Sequence, residues 1–169
     1  MTTIILSLII FMAYLGVIIA LFGIPDSLSK SYYLLEEKFK NSGVLFTFLM
    51  FVTVFLIIAP ILDITPDNYQ ALAFFAIIGL GFVGAAPLFL RGGMETKVHF
   101  AGAAISAISG LAWIFIVTPQ YWWYVLIVTG IMLGAMIITK TLRCYLFWVE
   151  MVVFFSIYAV LVREGIMLL

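Results

Sequence analysis

Two ionisable side chains stand inside runs that are otherwise apolar enough to cross a membrane. One is Glu150, in FWVEMVVFF; the other is His99, the only histidine, in KVHFAGAAIS. A charged group within a bilayer costs roughly 2.5–3.5 kcal/mol or more, so such a residue normally faces a cavity or a bundle interior. Glu150 lies seven residues after Arg143, about 10 Å deeper along a helix and close to the same face. A buried carboxylate of this kind can act as a general base or a carrier of protons, or it can simply tie helices together by hydrogen bonding. His99 follows Glu95 by four residues, which places the two on one face of a helix that begins near Met94. A neighbouring carboxylate would hold the imidazole in one tautomer, as acid–base and ligand roles require. The other reading of His99 is a structural hydrogen bond at the membrane interface. Catalytic zinc sites normally have three protein ligands. Glu95 and His99 alone do not make such a site, and further ligands would have to come from Glu150, Asp26 or a distant segment, so no metal is assigned and the cofactor is unknown.

The elements that must position these residues follow from composition. Of 169 residues, 66% are hydrophobic and 9% are charged, against about 25% charged in a typical soluble domain. Too few charges are present to cover a water-facing surface, so the expected fold is an all-α membrane protein, a single domain over 1–169. A span needs roughly 20 apolar residues. Six such runs are present, over 2–23, 43–62, 70–90, 98–117, 121–139 and 141–162. The first has no basic segment before it and is as long as a true span, so it is expected to be retained rather than cleaved as a signal peptide. The short joints TPQ and TKTLRC make the fourth, fifth and sixth spans tight neighbours in sequence, the last two of them antiparallel.

Basic residues are strongly asymmetric. Lys30, Lys38 and Lys40 are in loop 1, Arg91 and Lys97 in loop 3, Lys140 and Arg143 in loop 5; Arg163 alone lies on the other side. Loop 2, DITPDNYQ, is acidic, and loop 4, TPQYWWY, carries an aromatic belt. By the positive-inside rule, loops 1, 3 and 5 are cytoplasmic and both termini lie outside. Whatever the insertion, odd-numbered loops share a side. His99, Glu95, Arg143, Glu150 and the polar residues of loop 1, including Asp26, Ser27, Ser29, Tyr32 and Tyr33, therefore collect at one mouth of the bundle. Asp63 and Asp67 fall at the opposite end as ordinary loop residues. This one-sided distribution weighs against a channel, whose pore carries polar or gating groups along its length.

Loop 1, IPDSLSKSYYLLEEKFKNS, is the longest. Pro25 and the following Asp26 or Ser27 form a helix-start signal. Leu28, Tyr32, Leu35 and Phe39 recur at helical spacing, which predicts an amphipathic helix lying at the interface; the alternative is a lid over the polar mouth. Small residues set how closely membrane helices approach. Gly102, Ser106 and Gly110 make one stripe, Gly130 and Gly134 a second, and Gly81 and Ala85 a third, each expected at a tight helix crossing or a homo-oligomeric face. GLGFVG, at 79–84, spells a dinucleotide-binding motif, but it lies within a span and follows no strand. Pro60 and Pro87 lie near span ends and are expected to kink or end their helices. The lone Cys144 excludes an intramolecular disulfide. The formal net charge of zero gives no field that recruits nucleic acid, which is therefore not an expected partner.

VHFAGAAISAISGLAWI, at 98–114, resembles the fourth-helix signature of the Frag/DRAM/Sfk family of six-span membrane proteins, through His99, Gly102 and Ala103. IPDSLSKSYY in loop 1 is similar to that family's first loop. The chain is also similar to inner-membrane proteins of Bacteroidetes and their phages. The family resemblance implies a link to lipid remodelling or membrane stress, and it implies an exoplasmic loop 1, opposite to the charge reading.

Together these features point first to a protein that binds a lipid headgroup or small amphiphile at its basic mouth, with Glu95, His99, Arg143, Glu150, Asp26 and Tyr32 as candidate ligand-binding residues and membrane lipids as partners. Three other functions fit the residues. The chain could be a hydrolase of lipid esters or amides with His99 or Glu150 as base, a proton-coupled transporter working through Glu150, or a structural or phage-related membrane component. Convergence of His99 and Glu150 would mark the hydrolase. A polar route from Glu150 towards Asp63 would mark the transporter.

Overall fold

In the computed structural model, residues 1–167 are described, the side chain of Arg91 excepted; the part of loop 3's basic charge assigned to Arg91 thus lies outside the described residues. The chain forms seven α-helices: α1 (Thr2–Phe22), α2 (Ser31–Lys38), α3 (Val44–Asp63), α4 (Gln70–Ala85), α5 (Met94–Val117), α6 (Trp122–Ile138) and α7 (Tyr145–Met167). Six segments are long and apolar enough to cross a membrane. The short α2 belongs to loop 1. Lipid-facing side chains such as Phe55, 84% exposed, cover the outside of the bundle, as a bilayer solvent requires.

Three span boundaries differ from the expected ones, each for a local reason. The third span stops at Ala85 because the residue before Pro87 is pushed out of helical geometry; Ala86 has ψ 58. The fourth begins at Met94, a turn before the apolar run, since METK forms helix readily even though it is too polar for the bilayer. The sixth is displaced towards the C-terminus. Lys140 adopts a left-handed φ of 54 and a 3-10 turn over Leu142–Cys144 intervenes before α7 starts. Pro60 is accommodated in the last turn of α3.

Five helices form a ring in the order α1, α3, α4, α5, α7, and α7 closes it against α1. The sixth span, α6, stands outside this ring and packs chiefly on α7; the tight loop between α6 and α7 makes them the expected neighbours. The equally short joint between α5 and α6 does not pair those two. Val128 is the single buried residue of α6.

The small-residue stripes divide along the same line. Gly102, Ser106 and Gly110 are buried, and a Cβ on Gly102 would stand 2.7 Å from Phe82 Cβ and 2.8 Å from the Gly79 carbonyl oxygen. On α4 the matching position is Gly79, whose Cβ would meet the Gly102 oxygen at 2.6 Å. Here the two helix backbones touch. The Gly81 and Ala85 pair is not the contact face: Gly81 meets only its own helix at Ile78, and Ala85 is exposed. Gly130 and Gly134 are not at a crossing within the chain either, since neither has any atom within 4 Å of a built Cβ.

Buried polar pairs fasten the ring. Trp113 Nε1 donates to Thr65 Oγ1 at 2.8 Å, joining α5 to the loop after α3. Ser7 and Tyr158 share a 2.6 Å hydrogen bond between α1 and α7. Overpacking a closed contact costs about 1–3 kcal/mol. Gly79→Ala is therefore expected to lower the thermal unfolding midpoint of the detergent-solubilised protein, whereas Gly134→Ala leaves it at or slightly above wild type.

Candidate functional site: a capped cavity at the basic end

Loops 1, 3 and 5 meet at one end of the bundle. Residues 24–31 do not lie flat on the surface; Pro25, Ser27, Leu28, Ser29 and Ser31 are buried. The docking follows from unsatisfied backbone donors. The first N–H groups of any helix lack partners within it. Leu28 opens a 3-10 turn that runs into α2, and its N–H donates to Glu150 Oε2 at 2.6 Å. In return, the N–H of Phe147, in the first turn of α7, donates to the Asp26 carbonyl at 3.1 Å. Each helix start is thus satisfied by the other segment. The Ser27 side chain accepts from the Lys30 N–H at 3.2 Å, and Tyr14 holds Ser31 through a 2.6 Å hydroxyl pair. Cys144 is buried against the same segment, its Sγ 3.5 Å from the Ile24 carbonyl oxygen.

Loop 1 also binds loop 3 and the start of α3. The Tyr33 hydroxyl accepts the Leu90 N–H at 2.8 Å, and its ring meets Phe89 edge-on with centroids 5.4 Å apart. Glu36 accepts the N–H groups of Asn41 and Gly43, both at 3.1 Å, and so caps the turn into α3. Of the predicted apolar face, Leu28 and Leu35 are buried, Tyr32 is half-buried and Phe39 is exposed. The face points into the bundle end, which makes the segment a cap.

Beneath this cap lies a cavity of about 290 Å³ between α5 and α7. Leu28 and Ser29 form its end, Ala103 and Ala107 one wall, and Val153 and Ile157 the other. Among the described residues Glu150 is its only ionisable lining residue. Phe100, Ala104, Leu146 and Val149 also border it and are exposed, so it opens sideways between the two helices. The helices close up only further in, where Gly110 receives Ile157.

The remaining candidates are distributed differently. His99 is buried, but its Nδ1 lies 3.0 Å from the Ala86 carbonyl oxygen at the end of α4. A carbonyl only accepts, so Nδ1 carries the proton and the histidine caps a helix C-terminus. Its ring stacks on Phe89 at 4.3 Å. Glu95 is exposed and is not the group that orients the imidazole. Arg143 is exposed on the 3-10 turn before α7, while the partner of Glu150 is the Leu28 amide. Asp26 contributes its backbone carbonyl to α7 and leaves its side chain exposed, with Oδ1 3.8 Å from Cys144 Sγ. Tyr32 packs its ring and backbone against Gly43, where a Cβ would stand 2.9 Å away. Of the six candidates only Glu150 borders the cavity. Among the described residues no group of three or more His, Cys, Asp or Glu side chains is placed to hold a metal ion.

No family model matches the chain, and no curated protein or solved structure does either. The residues of the fourth-span signature have distinct physical tasks here. His99 caps α4, Gly102 allows the α4–α5 approach, and Ala103 lines the cavity. Ser29 is a residue whose role the apolar spacing does not reveal: it is no part of the Leu28, Tyr32, Leu35 and Phe39 series, yet it is 4% exposed and borders the cavity together with Glu150. Asp63 is exposed at the far end, and the way towards it from Glu150 is walled by Val153, Phe154 and Ile157, with Phe11 stacked on Phe154 at 4.7 Å.

Removing one partner of a buried hydrogen bond leaves the other unsatisfied, at about 1–3 kcal/mol. Glu150→Ala is expected to destabilise the cap by this order and to raise amide hydrogen exchange over residues 24–35. Glu150→Gln, which keeps an acceptor for Leu28, has the smaller effect. His99→Ala acts elsewhere, speeding exchange at the α4 C-terminus while loop 1 stays protected.

Proposed function

We propose that this polytopic membrane protein binds a membrane amphiphile in the cavity between α5 and α7, with the polar head at Glu150 and Ser29 and the chain directed into the bundle. The observation that carries the reading is the polarity gradient along one enclosed space. At the capped end stand a carboxylate and a hydroxyl. Seven residues further along α7, about 10 Å at helical rise, the walls towards Ile157 are apolar but for Ser106, whose hydroxyl is spent on the Ala76 carbonyl. A lateral opening between Phe100 and Leu146 gives access from lipid rather than from water. The volume is at the lower end of the roughly 300–1,000 Å³ of small-molecule sites, enough for one chain segment and its head but not for two chains.

The arrangement supports binding over hydrolysis because the imidazole of His99 is committed to the α4 terminus and does not border the cavity. It supports binding over proton transport because the cavity walls beyond Glu150 are apolar but for Ser106, and the buried hydroxyls of Ser7, Thr53, Ser156 and Tyr158 do not border the cavity.

Native mass spectrometry of the protein released from lipid nanodiscs tests the reading. Wild type is expected to retain one bound amphiphile. Ala107→Trp, which fills the cavity from its α5 wall, is expected to lose it while remaining folded. Equal retention by the two proteins would sink the proposal.

A further inference from the structure

The cavity wall carries a carboxyl group that no basic side chain among the described residues answers. Glu150 spends one oxygen on the Leu28 N–H, and Oε1 has no hydrogen-bond partner among the described residues. Among the described residues no lysine, arginine or histidine borders the space. Arg143, two turns earlier in sequence, is exposed. Lys30, the nearest basic residue of the cap in sequence, lies with Nζ 5.6 Å from the Tyr33 ring centroid, directed at the aromatic face of loop 1. A carboxyl group held in apolar surroundings keeps its charge only when paired and hydrogen-bonded, and otherwise holds a proton. A backbone amide provides a hydrogen bond but no countercharge. Ser29, buried beside it with its hydroxyl bonded to no described residue, adds a second acceptor at the same end.

We infer that the amphiphile selected by this cavity bears a primary ammonium headgroup, held between Glu150 and Ser29. The inference rests on the reading of the cavity as an amphiphile site and adds the chemical class of the head. Three properties decide it. The head must be cationic to balance Glu150. It must carry N–H donors, because Glu150 Oε1 accepts and Ser29 Oγ can accept as well as donate; an ammonium has three donors and can serve both, whereas a quaternary ammonium has none. It must also be compact and strongly directional, since the cap seals the end of the space with Leu28. An anionic head meets a like charge and finds no cation in the wall. A hydroxyl head can bond Glu150 but leaves its charge uncompensated. The occupant is a lipid of the bilayer and not a water-soluble amine, because the walls beyond Glu150 are apolar but for Ser106 and the opening faces sideways between α5 and α7.

Binding of three probes of equal chain length to the full-length protein in nanodiscs tests this: dodecylamine, dodecyltrimethylammonium and dodecanol. Wild type is expected to bind dodecylamine at least tenfold tighter than either of the others. Glu150→Gln, which retains the acceptor for Leu28 but not the charge, is expected to bring the three within about threefold of one another. Ser29→Ala, which leaves the Glu150 contact to loop 1 untouched, is expected to weaken dodecylamine several-fold and dodecanol much less. Ala107→Trp is expected to abolish binding of all three. If wild type binds the three probes equally and Ala107→Trp still removes them, the headgroup inference is overturned while the amphiphile site stands. If Ala107→Trp leaves binding unchanged, the site itself is overturned. Retention of the amine preference by both Glu150→Gln and Ser29→Ala would overturn the inference as well.

Discussion

Two reciprocal hydrogen bonds hold the basic end of this bundle together: the Leu28 amide on Glu150, and the Phe147 amide on the Asp26 carbonyl. Both satisfy helix-start donors that have no partner within their own helix. Without them, loop 1 would have to find water for its backbone, and it would leave the bundle end open. With them, Leu28 and Ser29 become the end of a cavity, Tyr33 reaches the Leu90 amide in loop 3, and α2 is oriented so that Glu36 can cap the turn before α3. A glutamate one turn inside a membrane helix is costly on its own. Here its position is explained by what it receives, a backbone donor delivered from another part of the chain.

The cavity itself is a consequence of unequal helix approach. α5 is drawn against α4 because Gly79 and Gly102 let the backbones touch. On its other side α5 meets α7 at Gly110, where Ile157 fits the missing side chain. Towards the basic end the α5 wall is built from Ala103 and Ala107, which are too small to fill the interval to Val153 and Glu150. The same class of residue thus does opposite things. Where a facing helix can follow inward, a small residue closes the gap; where it cannot, small residues leave a space.

His99 and Glu150 look alike in the sequence, as isolated ionisable groups near the basic ends of apolar runs. Their surroundings separate them. His99 is consumed by the Ala86 carbonyl and the Phe89 ring and stabilises the junction of α4 with loop 3. Glu150 keeps one oxygen towards a cavity. Proximity of Glu95 in sequence suggested a carboxylate–imidazole pair, but α4 ends beside His99 and presents the Ala86 carbonyl to it, while Glu95 stays exposed.

Composition and apolar run length determined the class and the six spans, because a bilayer admits few backbone arrangements and a helix needs a set length to cross it. The short loop between α6 and α7 determined their pairing, and the Gly102–Ser106–Gly110 stripe announced a close crossing. Which stripes would be used was a tertiary matter: Gly102 met Gly79 across a facing helix, whereas Gly130 and Gly134 met nothing within the chain. The site was legible only in part. That Glu150 would be buried and important follows from its cost in an apolar run. That its partner would be the amide of Leu28 does not, because every residue but proline carries the same backbone donor and spacing cannot say which one arrives. Packing across a separation of 122 residues made that choice.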